Sequence, residues 1–123
     1  MNQLELQQFR NKVKQLTTSY HTKENVIYLN SHNSWPHERI KCQICYELRK
    51  QNKSFVTEAP LKGGKADILV LDDAQIIEIL YSETLQKAEW KVRKYPKGLE
   101  IIAVTSAEEY LTGNYKILQK AEA

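Results

Sequence analysis

The feature that most constrains this chain is a pair of short apolar runs, Gly64–Leu71 and Gln75–Leu80, separated only by Asp72, Asp73 and Ala74. Each is of strand length and rich in Ile, Leu and Val. Each also carries one carboxylate: Asp67 in Gly64-Lys65-Ala66-Asp67-Ile68-Leu69-Val70-Leu71, and Glu78 in Gln75-Ile76-Ile77-Glu78-Ile79-Leu80. Because both runs are apolar on either face, they belong in the middle of a sheet that is covered on both sides. An unpaired buried carboxylate costs several kcal/mol, so one acid in each of two adjacent core strands calls for a shared partner. A divalent cation is the simplest.

The rest of the chain orders itself around this pair. Residues 2–20 read as an amphipathic helix, with Leu6, Phe9, Val13, Leu16 and Tyr20 at helical spacing. Residues 21–34 form a polar connector around Val26-Ile27-Tyr28-Leu29, a short strand or extended segment. Ser34 is the expected N-cap, with Pro36 in the first turn, of a helix reaching about Asn52; Ile40, Ile44 and Leu48 face inward, and His37 and Lys41 continue that side. Phe55–Glu58 is a short strand closed by Pro60 and Gly63-Gly64. Strands over 66–72 and 75–81 follow. A second amphipathic helix covers 83–95, capped by Ser82 and Glu83, with Leu85, Ala88, Val92 and Tyr95 inward and Lys87, Lys91 and Lys94 along another side. Pro96 and Gly98 stop it, Leu99–Thr105 is a buried strand, and 106–123 is a helical turn with a tail.

At 123 residues this is one domain, divided into an N-terminal helix and connector (1–34), an α/β core (35–105) and a C-terminal tail (106–123). The expected architecture is an α/β sandwich. A composition of 41% hydrophobic and 27% charged residues argues against disorder. No apolar run approaches the roughly 18 residues needed to cross a bilayer, and Met1-Asn2-Gln3-Leu4-Glu5-Leu6 is not a secretory leader. An intracellular, cytoplasmic protein without a membrane partner is expected. The net charge of +3 does not by itself demand a nucleic-acid partner. Cys42 and Cys45 form a C-x-x-C that, with His32 and His37, could make a zinc set; their place inside a helical pattern favours small apolar side chains on a packed face.

The hairpin register decides whether the two acids meet. If Asp72 pairs with Gln75, Asp67 lies opposite Leu80 and diagonal to Glu78, so all three share one face. A slip of one residue would separate them. Two converging carboxylates suit Mg²⁺ or Mn²⁺, which keep several waters and clamp phosphate.

The order helix, strand with Asp, strand with Glu, basic helix, strand resembles the PD-(D/E)XK nuclease superfamily, which includes archaeal Holliday-junction resolvases. The resemblance spans about residues 35–105. It rests on Gly64-Lys65-Ala66-Asp67-Ile68-Leu69 and Ile76-Ile77-Glu78-Ile79-Leu80, with His37-Glu38-Arg39-Ile40-Lys41, Ile44 and Leu48 resembling the first core helix. It implies a restriction-endonuclease-like core, α-β-β-β-α-β, with a central mixed sheet between helices and an extra N-terminal helix. It also implies a metal-dependent endonuclease cutting duplex or branched DNA, with Asp67 and Glu78 as the Mg²⁺ or Mn²⁺ ligands. The chain departs from the pattern at Leu80, where the family carries a lysine that orients water and balances transition-state charge. Lys41, Lys87 and Lys91 are the candidates for a lysine supplied from another element.

Other positions carry two readings each. Glu58 is an added metal ligand or an exposed strand-end charge. Glu38 or Glu47 is a helix carboxylate of the site or part of a solvated face. His37 shuttles a proton or contacts phosphate, or is a structural histidine. Lys87, Lys91, Arg93, Lys94 and Lys97 are a wet basic face or, beside an acid pair, contacts to the phosphate backbone. Asp67 itself could be held by Lys65 or Arg39. A domain this small embraces little of a duplex, so a homodimer is expected. The rival function is a catalytically degenerate protein of the same fold that binds nucleic acid or a protein partner without cutting.

Overall fold

In the computed structural model, which describes residues 1–19, 22–81 and 83–122, the elements run α1 (Gln3–Lys14), α2 (Trp35–Lys50), β1 (Phe55–Leu61), β2 (Gly64–Val70), β3 (Gln75–Ile79), α3 (Leu85–Val92), β4 (Glu100–Val104), α4 (Ala107–Thr112) and β5 (Lys116–Gln119). The described strands form one mixed sheet in the order β1-β2-β3-β4-β5. Only the β3–β4 pair is parallel, bridged by α3.

Both faces of the sheet are covered, as the doubly apolar strands require. On one side Val13 of α1 and Val92 of α3 pack with Val56, Leu69, Ile76 and Ile101. On the other, Ile40, Ile44 and Leu48 of α2 pack with Phe55, Ile68, Ile77 and Ile102, joined by Tyr110 of α4. Among the described residues no helix is long and apolar enough to cross a membrane.

Several boundaries differ from the sequence reading, each for a local reason. The first helix ends at Lys14 rather than near residue 20, because Thr17 forms a β-bridge to Leu61; Leu16 is exposed, and Tyr20 lies outside the described residues. The Val26–Leu29 segment is extended without being a strand. It is held by side chains, the Tyr28 amide donating to Thr57 Oγ1 and that hydroxyl to the Val26 carbonyl. Ser34 does cap α2, accepting from the His37 amide. The N-cap of α3 is Thr84; Ser82 lies outside the described residues.

Pro60 does not close β1. The strand continues to Leu61 because β1 is an edge, where a residue without an amide proton is tolerated. Gly63 makes the following turn at φ 98°, and a Cβ there would meet the Lys94 carbonyl oxygen at 2.2 Å, so the hairpin seats directly on the end of α3. The tail contributes a fifth strand, which its exposed Lys116 and Ile117 did not announce.

The sheet is irregular at two places, at Ile101/Ile102 on β4 and, closer to the acids, on β1 and β2. Val56 and Ala59 on β1 belong to the same side, as do Ala66 and Leu69 on β2, although residues three apart should lie on opposite faces. The break falls at Glu58, whose φ is 48°, and Asp67, between the pairs Thr57↔Ile68 and Ala59↔Ala66. Left-handed backbone in a non-glycine strand residue is a local strain. Here it resets the alternation of both strands and turns Asp67 out of the regular pleat.

Candidate active site

The β2–β3 ladder pairs Val70 with Gln75, Leu69 with Ile76 and Ile68 with Ile77, then stops. The turn is thus longer than the sequence reading assumed, and the register is shifted by two residues, so Leu80 is not opposite Asp67. Beyond Ile68 and Ile77 the carboxylates take over the bonding of the strands. The Asp67 amide donates to Glu78 Oε2 at 3.2 Å, and the Ile79 amide donates to Asp67 Oδ2 at 2.8 Å. The two acids are therefore laced together.

Glu78 is 2% exposed. Its Oε1 lies 3.2 Å from Lys91 Nζ and 2.8 Å from the Tyr95 hydroxyl, which also lies 2.7 Å from the Lys65 carbonyl oxygen. A phenol has one proton to give. It is shared between two acceptors, Glu78 Oε1 and the Lys65 carbonyl oxygen. Burial and then the charge of Asp67 push Glu78 well above the usual carboxylate range. For Asp67, burial also raises the pKa. Hydrogen bonds from His37, the Ile79 amide and Glu78 outweigh it, and Asp67 is the ionised member of the pair.

His37, in the first turn of α2, faces this pair from the other side. Its Nε2 lies 3.4 Å from Asp67 Oδ2, and its Nδ1 lies 2.9 Å from Glu38 Oε1. Burial lowers the His37 pKa, but the two acids override it and the net direction is upward. Glu38 is itself buried and fixed by Lys41 Nζ at 2.7 Å, the Asn30 amide and Asn33 Nδ2, which hold it down to about 2 against the effect of burial. This network ties the 26–33 connector to α2 and anchors His37 through its second ring nitrogen.

A cleft of about 350 Å³ opens over Asp67, lined by Asn33, His37, Ile79, Tyr81, Glu83, Lys87 and Lys91. Of the lysines considered from sequence, Lys91 reaches the acid pair. Lys41 is wholly buried and is held elsewhere, by Glu38 and by the Tyr28 carbonyl at 2.7 Å. Leu80 packs with Ala88 and Ala103 beneath α3. Glu58 lines a separate depression with Tyr28, Thr57, Pro60 and Lys65, and Glu47 pairs with Lys50 on the surface. Lys94 lies over the Trp90 ring and Lys97 is exposed away from the cleft lining. The side-chain partner of Asp67 is His37, rather than Lys65 or Arg39. Tyr95, read from sequence only as a core ring, contributes its hydroxyl. The signal for that was available, since a buried phenol needs a polar partner.

As a cation site, the donor set is a carboxylate pair. Among the described residues no three His, Cys, Asp or Glu side chains form a ready cage. Two carboxylates suit an ion that keeps most of its waters, as Mg²⁺ does. The zinc alternative loses its donors: Cys45 is buried in the core with its thiol pushed up to about 12 by desolvation, and His37 is bonded to two acids.

No protein-family model, curated protein or solved structure matches this chain.

Proposed function

We propose that this chain is a small metal-dependent endonuclease of the PD-(D/E)XK type, hydrolysing DNA phosphodiester bonds inside the cell, with residues 35–105 as its restriction-endonuclease-like core. The observation that carries this reading is the Lys91 ammonium, 3.2 Å from the Glu78 carboxylate. It arrives from α3 at the place where Leu80 offers no charge. Asp67 and Glu78 would hold Mg²⁺ or Mn²⁺, an ion that supplies a Lewis acid for the phosphate and an acidified water when bound.

The chain's own groups then have distinct tasks. Lys91 positions a water hydrogen-bonded to its ammonium and offsets the charge that builds on the phosphate oxygens. His37, fixed through Nδ1 by Glu38, presents Nε2 to the cleft, where it hydrogen-bonds a phosphate oxygen or the departing hydroxyl. Lys87, Lys94 and Lys97 contribute salt-sensitive attraction for the backbone. A homodimer would extend this small surface along a duplex or branch.

The experiment is cleavage of labelled duplex, branched and single-stranded DNA with Mn²⁺, comparing wild type with Asp67→Asn, Glu78→Gln and Lys91→Ala. The amide variants keep an oxygen for the strand amides, so lost cleavage with retained folding reports chemistry. Cleavage that persists in Asp67→Asn sinks the reading. The alternative is a degenerate relative that binds DNA or a protein without cutting. It is favoured by the internal satisfaction of the acid pair, in which His37, Lys91 and Tyr95 already occupy the positions of external partners. DNA binding with no Mn²⁺-dependent cleavage would select it.

A further inference from the structure

Part of the cleft edge has no use in phosphate chemistry. Tyr81 is 55% exposed and lines the cleft beside Lys87 and Lys91. Trp90, 59% exposed, follows Lys87 by three residues on α3 and is therefore its neighbour on the helix surface. The Lys94 ammonium sits 3.7 Å from the centre of the Trp90 ring. Single exposed apolar residues are ordinary. One large aromatic ring in the lining of an acid-floored cleft, with a second beside a lining lysine on α3, is a specific arrangement. Ammonium groups attract phosphates, whereas aromatic faces bind the faces of bases. In a continuous duplex those faces are stacked and hidden. The cleft volume, at the small end of ligand sites, fits about one nucleotide.

We propose that this edge is a docking surface for an unpaired DNA strand. One base stacks on Tyr81 at the mouth of the cleft, the next lies against Trp90, and Lys87 and Lys94 neutralise the intervening backbone. The proposal rests on the nuclease reading and deepens it, naming a strand with unpaired bases as the substrate class. Tyr81 is a specificity-determining residue on this account.

The test is fluorescence anisotropy in metal-free buffer, where no cleavage intervenes, with a labelled oligothymidine of about 15 nucleotides and a blunt duplex of equal length. The single strand is expected to bind roughly tenfold tighter than the duplex. Tyr81→Ala and Trp90→Ala should each weaken single-strand binding by roughly five- to a hundredfold, and Tyr81→Phe, which keeps the ring, should restore it. Both side chains are exposed, and circular dichroism checks that the variants fold. Equal affinity for strand and duplex, or unchanged single-strand affinity in Tyr81→Ala, overturns the proposal. Adding Mn²⁺ to the same samples separates it from the reading beneath it. A strand bound through Tyr81 yet uncut removes the nuclease and keeps the surface. A strand that is cut but bound equally by Tyr81→Ala removes the surface and keeps the nuclease.

Discussion

Asp67 and Asp72 stand five residues apart along the same β-hairpin, and both are largely buried, yet their surroundings differ in kind. Asp72 is gripped by one guanidinium, Arg10 donating through Nε at 3.0 Å and NH2 at 2.8 Å, with the Ser54 amide at 2.7 Å as a third donor. One acid meets one base, and α1 is thereby clasped to the hairpin. Glu38 and Lys41 form a second matched pair. Asp67 shares its recess with another acid, so one proton must be retained there and a cleft opens above it. Burial of a charge alone therefore does not mark a candidate site. Two acids that share one recess beneath an open cleft do.

The contrast can be broken or sharpened by measurement. The largest effect should come from Lys41→Ala, which leaves Glu38 buried without its cation; urea denaturation should show a loss of about 3–5 kcal/mol. If Lys41→Ala costs nothing measurable, the matched-pair description fails. Next comes pH. Glu38 titrates near 2 when folded against about 4.5 in the ordinary carboxylate. Its stabilising contribution is therefore complete above about 4.5 and lost as pH falls toward 2, by roughly 3 kcal/mol at most. A Glu38→Gln variant should show a shallower acid limb in the same titration.

Arg10→Ala should cost about 2 kcal/mol by removing a paired, partly buried set of charged hydrogen bonds. The crowded pair should respond with the opposite sign. Because Glu78 titrates above the carboxylate range in the fold, the native state holds a proton that the unfolded chain releases, and stability falls as pH rises through that interval. Glu78→Gln should leave stability near pH 4 unchanged and raise it by about 1 kcal/mol at pH 8. A loss at pH 8 would show that the pair is matched after all.

The sheet was legible because Ile, Leu and Val on both faces of 66–71 and 76–80 leave no alternative to a central position. α2 was legible from Ser34, Pro36 and the Ile40-Ile44-Leu48 stripe. Asp67 and Glu78 do meet, but beyond the ladder read in the sequence: the pairing stops at Ile68 and Ile77, and the acids bond the strand amides past it. Other parts were not legible, for reasons that concern position in space. The identity of the lysine at Glu78 depends on how α3 docks, which periodicity does not encode. The strained backbone at Glu58 is decided by its cross-strand neighbours. β5 is short and half exposed, and its pairing comes from proximity to β4 rather than from any pattern of its own.

The strand amides of Asp67 and Ile79 have their acceptors in side chains, across the stretch where the ladder of carbonyls ends. These carboxylate oxygens are thus structural members of the sheet, and a side chain without one at either position opens the seam between β2 and β3. The sheet by itself holds both positions to an oxygen-bearing side chain. The presence of an acid or amide there would be a sign of intact architecture before it was a sign of activity.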